Sequence, residues 1–349
     1  MVFWLMPPLM LLLVAGTLAQ RWMGLWPAMD LFFGSFIIWL GPIPLPGAYI
    51  LLGILSINLT LKFLLKSEWR MAKSGINLAH LGALILLIGG LLTAMTARES
   101  FMLIPEGEET LFIYSYADRE LVIYEDETHI LTTPFNDLKN QNFETLPFTI
   151  DIRQACTNCE ILKRQEQPGF DENAPYQSMA QFMAFTPKPR EPQPENDLTG
   201  FEFEVSGSDQ DGLYIAFDGM PEPITLTKDD KSYALIFGKA QRQLPFSIHL
   251  KDFTKDSYAG TTKARDYISD IIVKDGKLEW PTRIEMNEPL RYKGYTFFQS
   301  SFEQTLDTET TILAVVENKG WLFPYLGTIV IGIGLLLHLL LTLYERKPS

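Results

Sequence analysis

The sequence has few of the residues that usually build catalytic or metal-binding centres. It holds only two cysteines, Cys156 and Cys159, and four histidines in 349 residues. No Ser-His-Asp constellation, phosphate-binding loop or pair of catalytic carboxylates stands out, which argues against a hydrolase or a nucleotide-dependent enzyme. Two cysteines also exclude a disulfide-rich scaffold.

Charge is nearly absent from three stretches, residues 1–65, 75–97 and 321–344. The last two contain no Asp, Glu, Lys or Arg at all. At ~1.5 Å of rise per residue, each is long enough to cross a hydrocarbon core of ~30 Å as a helix. We therefore predict a transmembrane helix in each.

The N-terminal region predicts two further membrane helices, over residues 2–19 and about 47–65. The alternative for the first is a signal peptide cleaved near Ala19, but no basic segment precedes it and two prolines interrupt it. Residues 31–40 are apolar but too short to span, and the sequence GPIPLPG follows them. We interpret this piece as re-entrant or interfacial.

The basic residues outside the centre of the chain predict its orientation. Lys66, Arg70 and Lys73 lie in one short loop, and Arg346 and Lys347 lie in the C-terminal tail. By the positive-inside rule, both segments are expected on the cytoplasmic side. Residues 20–46 and 98–320 are then expected outside.

The predicted outer domain is strongly acidic. The chain carries a net charge of −13, and all acidic residues except Asp30, Glu68 and Glu345 lie in residues 98–320. A domain of this charge is a poor partner for nucleic acid or anionic lipid. Its contacts with lipid are therefore expected through the membrane helices.

Short segments of residues 98–320 alternate between apolar and polar side chains, as half-buried strands do. We predict a membrane protein with four transmembrane helices and a large all-β extracytoplasmic domain. Its parts are the helical region 1–97, the β domain 98–320 and a closing helix with a tail over 321–349. The proline-rich stretch near 186–198 suggests two lobes within the β domain.

His80 and His338 lie inside predicted membrane helices, where polar side chains are costly and usually functional. Counting from the helix ends places both about 8–10 Å from the cytoplasmic edge. Two neutral imidazoles at one depth suit axial ligation of haem iron, with Gly334 and Ala83 leaving room for the macrocycle. The alternatives are an interhelical hydrogen bond, interfacial solvation, and, less favoured, a proton relay.

Cys156 and Cys159 form a CxxC sequence in a compartment expected to be oxidising. Residue 160 is Glu, so this is not a CxxCH haem-attachment site, and the setting of a thioredoxin thiol is missing. A short structural or redox-labile disulfide is the favoured interpretation, and active thiol exchange remains the alternative.

Residues 284–302 read IEMNEPLRYKGYTFFQSSF. This run closely resembles the N-x-P-L-x-Y-x-G-[hydrophobic]-x-F-x-Q-S-S-type motif of the ResB family of cytochrome c biogenesis proteins. The third-helix pattern NLAHLG around His80 and the EGE sequence at 106–108 also fit. GPIPLPG and the CTNC pair depart from the family.

The resemblance implies a non-autonomous subunit of a system II cytochrome c synthetase, a haem lyase, in the bacterial inner membrane or, alternatively, a thylakoid membrane. Such a subunit pairs with a tryptophan-rich CcsA-family membrane protein. Together they are thought to carry haem b outward and attach it to apocytochrome c. His80 matches the family's haem-associated histidine, whereas His338 matches no family position. The competing functions are a scaffold whose histidines bind nothing and a thiol-redox protein acting through Cys156 and Cys159.

Overall fold

A computed structural model describes residues 2–192, 196–258, 260, 264–304 and 308–345. The chain divides into two compact units. The first, the helical unit, comprises Met1–Glu99, Leu290–Phe297 and Val316–Ser349. The second, the β-rich unit, comprises Ser100–Pro289 and Phe298–Val315.

Within the described residues, the helical unit contains five α-helices. They are α1 (Val2–Met23), α2 (Leu25–Ala28), α3 (Ala48–Leu61), α4 (Ser74–Thr96) and α5 (Phe323–Glu345). Lys62–Lys66 extends α3 as a π-helical turn. Within the described ranges, three segments are long and apolar enough to span a membrane: Ala48–Lys66, Met71–Thr96 and Phe323–Tyr344.

The predicted membrane helices over 47–65, 75–97 and 321–344 thus match helices of the structure. The N-terminal helix α1 also forms, with Pro7 and Pro8 inside it. It is not among the three candidate spans, so the fourth membrane crossing stays a prediction. The basic tail residues Arg346 and Lys347, on which part of the orientation rests, lie outside the described residues.

The short apolar piece before α3 forms a β-hairpin. Strands β1 (Ile37–Leu40) and β2 (Ile43–Pro46) pair antiparallel around Gly41 and Pro42. Gly41 has a φ of 62°, which a two-residue hairpin turn requires and which glycine adopts without strain. The GPIPLPG sequence therefore makes the turn and the second strand rather than ending the segment.

Most strands of the β-rich unit belong to one ten-stranded sheet with the path β14-β13-β12-β4-β3-β17-β16-β15, to which β5 and β11 add; β15 and the first residues of β16 fall in the helical unit. Smaller sheets have the orders β10-β9-β6 and β7-β8. The strands are β3 (Arg98–Pro105), β4 (Glu109–Glu125), β5 (Thr128–Pro134), β6 (Thr149–Cys156), β7 (Cys159–Lys163), β8 (Met183–Pro187), β9 (Gly200–Ser206), β10 (Gly212–Phe217), β11 (Ile224–Lys228), β12 (Lys231–Ser257), β13 (Ala264–Asp275), β14 (Leu278–Glu285), β15 (Leu290–Tyr292), β16 (Tyr295–Gln304) and β17 (Glu309–Glu317).

The two longest strands, β4 and β12, lie inside the strand path of this sheet. They pair with each other, and register shifts at Lys239/Gln241 and Gln243/Ile248 interrupt the pairing. Such irregularities bend a strand and increase its twist. Beside the first half of β12, the three-stranded sheet contributes Phe201 and Phe203 to a core shared with Ile123 of β4.

Residues on both sides of the proline-rich stretch at 186–198 pack into one cluster. Phe185, before the stretch, and Ile215, after it, are buried in one cluster with Cys156 and Cys159. Residues 193–195 of the stretch lie outside the described residues. Apolar side chains from both flanks therefore contribute to the same core, and the division into two lobes stays a prediction.

Candidate functional site

Helices α4 and α5 pack against each other along a line of glycines. In α4 these glycines are seven residues apart, and the same spacing recurs in and just before α5. We call this set the glycine seam: Gly75, Gly82, Gly89, Gly320, Gly327 and Gly334. A seven-residue repeat returns to nearly the same face of a helix, so each helix has a row of positions without a side chain on one face.

The two backbones approach closely at the seam. A Cβ atom placed on Gly82 would lie 2.8 Å from both the Gly327 carbonyl oxygen and the Ile331 nitrogen. One placed on Gly334 would lie 2.6 Å from the Ala79 nitrogen. The space beside Gly334, expected to admit a macrocycle, is therefore filled by α4, and that expectation is wrong.

His338 lies on the seam side of α5. It follows Gly334 by four residues, which is about 40° around the helix. A Cβ atom on Gly75 would come within 2.7 Å of the His338 Cα atom, so His338 is level with Gly75. His80 is five residues further along α4, or about 7.5 Å. The two Cα atoms are therefore offset along the helices, and the shared depth of the two imidazoles stays a prediction.

His80 projects from a different face of its helix. Five residues beyond Gly75 correspond to about 140° of rotation away from the seam. Lys62, which follows α3, lies within electrostatic range of the ring. The structure therefore places His80 and His338 on different faces of the α4–α5 pair and does not bring their imidazoles to one site.

Each imidazole has one ring nitrogen that makes no hydrogen bond with the described residues. Each ring is half-buried, and each Nδ1 atom is buried without a hydrogen-bond partner there. Within the same residues, no group of three or more His, Cys, Asp or Glu side chains could hold a metal ion. A free imidazole in an apolar helix suits one axial haem ligand, so the residues fit single ligation by His80 better than an intrachain pair.

Cys156 and Cys159 are joined by a disulfide that closes the turn between β6 and β7. Their exposed fractions are only 5% and 4%, and Phe185 and Ile215 pack around them. Thiol exchange needs an attacking thiolate to reach a sulfur atom. The buried position therefore gives no support to the thiol-redox function.

The 284–302 run covers the end of β14, all of β15 and most of β16, with the turns between them. Lys293 and Gly294, at the turn, both have positive φ values, of 47° and 85°. Two central residues of this kind fit a type I′ hairpin turn. Arg291 lies with its guanidinium carbon 5.1 Å from the centre of the Trp321 ring, a cation–π contact inside the helical unit.

The β-rich unit contains a cavity of about 690 Å³ with an aromatic lining. Phe101, Tyr114 and Tyr116 form part of its wall, and the Lys239 ammonium lies 5.3 Å from the centre of the Phe101 ring. Asp218, also in the lining, accepts a 2.5 Å hydrogen bond from the buried Arg119 guanidinium. Sequence reasoning did not find this cavity, because its residues come from strands far apart in the chain.

These features define a class: an integral membrane protein that combines apolar helices with one large β-rich domain. The ResB-like family model matches residues 222–341 of the chain. The chain is also similar to Protein NrfI of Wolinella succinogenes, with 36% identity over 118 residues. That match covers 33% of this chain and 13% of the relative's length. The ResB resemblance is confirmed, and the matched region includes His338 but not His80.

Proposed function

We propose that this chain is a ResB-like subunit of a cytochrome c synthetase that helps move haem across the membrane and present apocytochrome c for haem attachment. The carrying observation is the ResB-like match over residues 222–341, which includes the 284–302 motif and most of α5. Similarity to that family supports a role in cytochrome c biogenesis. The membrane helices supply the setting in which such a role is performed.

His80 is the residue we assign to the haem. Its ring lies on the side of α4 away from the glycine seam, half-buried and without a hydrogen-bond partner for Nδ1 among the described residues. One imidazole fills one axial position of the iron. Because His338 is on another face, we assign the second position to a partner membrane protein of the CcsA family. His338 is then a candidate ligand only for a haem that reaches the α5 side.

The β-rich unit is proposed to face the outside, where it contacts apocytochrome c. Its aromatic cavity offers Phe101, Tyr114 and Tyr116 to apolar side chains of an unfolded chain, which are exposed before haem attachment. The haem is cargo in this proposal, and the bond-forming step is assigned to the complex rather than to this chain alone.

The test is to purify the full chain with a CcsA-type partner and record reduced-minus-oxidised visible spectra. We expect a b-type signal that is lost or reduced at least severalfold in His80→Ala and is largely kept in His338→Ala. His249→Ala, a histidine in the β-rich unit, is the matched control. Addition of imidazole to a His80→Gly complex should restore part of the signal.

An intact complex that carries no haem would contradict the proposal and leave a scaffold as the function. Equal losses in His80→Ala and His338→Ala would show that both rings serve one haem. In that case α4 and α5 must separate at the glycine seam.

A further inference from the structure

The β1–β2 hairpin is apolar and exposes large side chains, which is unusual for a segment in the aqueous phase. No Asp, Glu, Lys or Arg occurs from residue 31 to residue 61. Trp39, Leu40 and Ile43 expose 64%, 65% and 56% of their surface. A cluster of large exposed apolar side chains on a short hairpin marks a surface that is covered in the working protein.

The outer edge of β2 carries no hydrogen-bond donor. The register pairs Trp39 with Pro44 and Ile37 with Pro46, while the Gly47 N–H donates to the Phe36 carbonyl at 2.7 Å. Along an antiparallel pair, alternate residues direct their N–H groups inward and outward. In β2 the two outward positions are therefore both proline, which has no N–H.

This pattern matters because an unsatisfied backbone N–H is costly in a lipid environment. An ordinary edge strand presents a row of donors that need water or another strand. The β2 edge lacks them, while β1 keeps outward N–H groups at Ile37 and Trp39. The β2 edge keeps its outward carbonyls but no outward donor, so it leaves fewer unsatisfied groups than the β1 edge and tolerates an apolar medium better.

The hairpin is also fixed to the membrane helices. Ile38 packs against a cluster that includes Leu12 of α1 and Leu51 of α3. The Phe36 and Tyr49 rings lie 5.2 Å apart. The candidate membrane span begins at Ala48, two residues after β2 ends, so the hairpin lies where α3 enters the bilayer.

We propose that the β1–β2 hairpin is a membrane-interface anchor. It lies at the boundary between headgroups and acyl chains, with the proline edge of β2 toward the hydrocarbon and the β1 edge toward the headgroups. Trp39 is suited to this level, where tryptophan is enriched in membrane proteins. The occupant of this apolar surface is lipid, and the proposal does not depend on haem transfer.

The first experiment measures depth with nitroxide labels on the full chain in nanodiscs of phosphatidylethanolamine and phosphatidylglycerol. Leu40→Cys and Ile43→Cys carry the label, and Leu278→Cys, 64% exposed in the β-rich unit, is the water-exposed control. The native cysteines are in a disulfide and offer no competing thiol. We expect residues 40 and 43 to be more accessible to oxygen than to a water-soluble nickel complex, and the control to show the reverse.

Two results would overturn the proposal. Equal nickel accessibility at residues 40, 43 and 278 would place the hairpin in water. Shielding from both reagents at residues 40 and 43 would show that protein, not lipid, covers it.

A second experiment tests the edge itself. Pro44→Ala/Pro46→Ala restores two outward donors, and we expect the label at residue 43 to move toward water, with a lower ratio of oxygen to nickel accessibility. Pro42→Ala adds its donor at the turn and is the matched control. An unchanged ratio in the double variant would show that the prolines do not set the depth.

Discussion

Gln299, in the sequence run that resembles the ResB family, has a structural role that its neighbours explain. Its Oε1 atom accepts a hydrogen bond from the Ser269 hydroxyl at 2.7 Å, and its Nε2 atom donates to the Thr311 hydroxyl at 3.0 Å and to the Ser301 carbonyl at 3.1 Å. Ser269 and Thr311 are fully buried. One side chain therefore links β13, β16 and β17 through polar contacts inside the sheet.

Replacing Gln299 by Ala should destabilise the protein. The change leaves buried polar groups with fewer partners, a loss of about 1–3 kcal/mol. For a domain of this size that corresponds to a lower Tm by about 2–4 °C per kcal/mol, measured by thermal unfolding of the purified chain in detergent. Gln243→Ala, on the exposed side of β12, is the control and should change stability by less than about 0.5 kcal/mol. Equal shifts in the two variants would contradict the role assigned to Gln299.

His80 and His338 show which structural features cannot be derived by counting residues along the sequence. Their residue types and membrane setting pointed to haem, and that assignment stays a proposal. The offset between their Cα atoms could not be counted from the helix ends, because backbone contact at the glycine seam fixes the register of α4 against α5. The face that each ring occupies follows from the same contact.

At the scale of the element, the glycine seam explains why α4 and α5 form a pair. In lipid there is little hydrophobic gain from bringing two apolar helices together, so close backbone packing becomes the main attraction. The signal was present in the sequence as two sets of glycines seven residues apart. Only the structure shows that the two sets face each other.

Gly82→Leu should separate α4 from α5. The new side chain would meet backbone atoms of Gly327 and Ile331, which cannot move aside without shifting α5. We expect a lower Tm of the purified chain by several degrees. Gly90→Leu is the matched control in the same helix, because a Cβ atom at Gly90 meets no atom within 4 Å. If Gly90→Leu is as harmful as Gly82→Leu, general loss of glycine rather than the seam is responsible.

At the scale of the whole molecule, the charges predict which side of the membrane each part occupies. The loop with Lys66, Arg70 and Lys73 is expected in the cytoplasm, and the acidic β-rich unit outside. Met71 is 82% exposed in that loop, and Leu278 is 64% exposed in the β-rich unit. The pair provides one reporter position for each side.

An impermeant maleimide should label Leu278→Cys in intact spheroplasts and Met71→Cys only after permeabilisation. The disulfide between Cys156 and Cys159 keeps the native sulfurs from reacting. Labelling of Met71→Cys in intact spheroplasts would reverse the topology and place haem entry at the opposite membrane face.

The sequence alone determined the membrane helices over 47–65, 75–97 and 321–344, the β-rich character of the region between residues 98 and 320, and the family of the 284–302 run. These depend on local properties: uncharged length, alternation of side chains and a specific motif. The tertiary structure decided the pairing across the glycine seam, the different faces of His80 and His338, the aromatic cavity and the donor-free edge of β2. Each of these depends on which residues meet across the chain, and packing contacts fix that register, whereas composition does not.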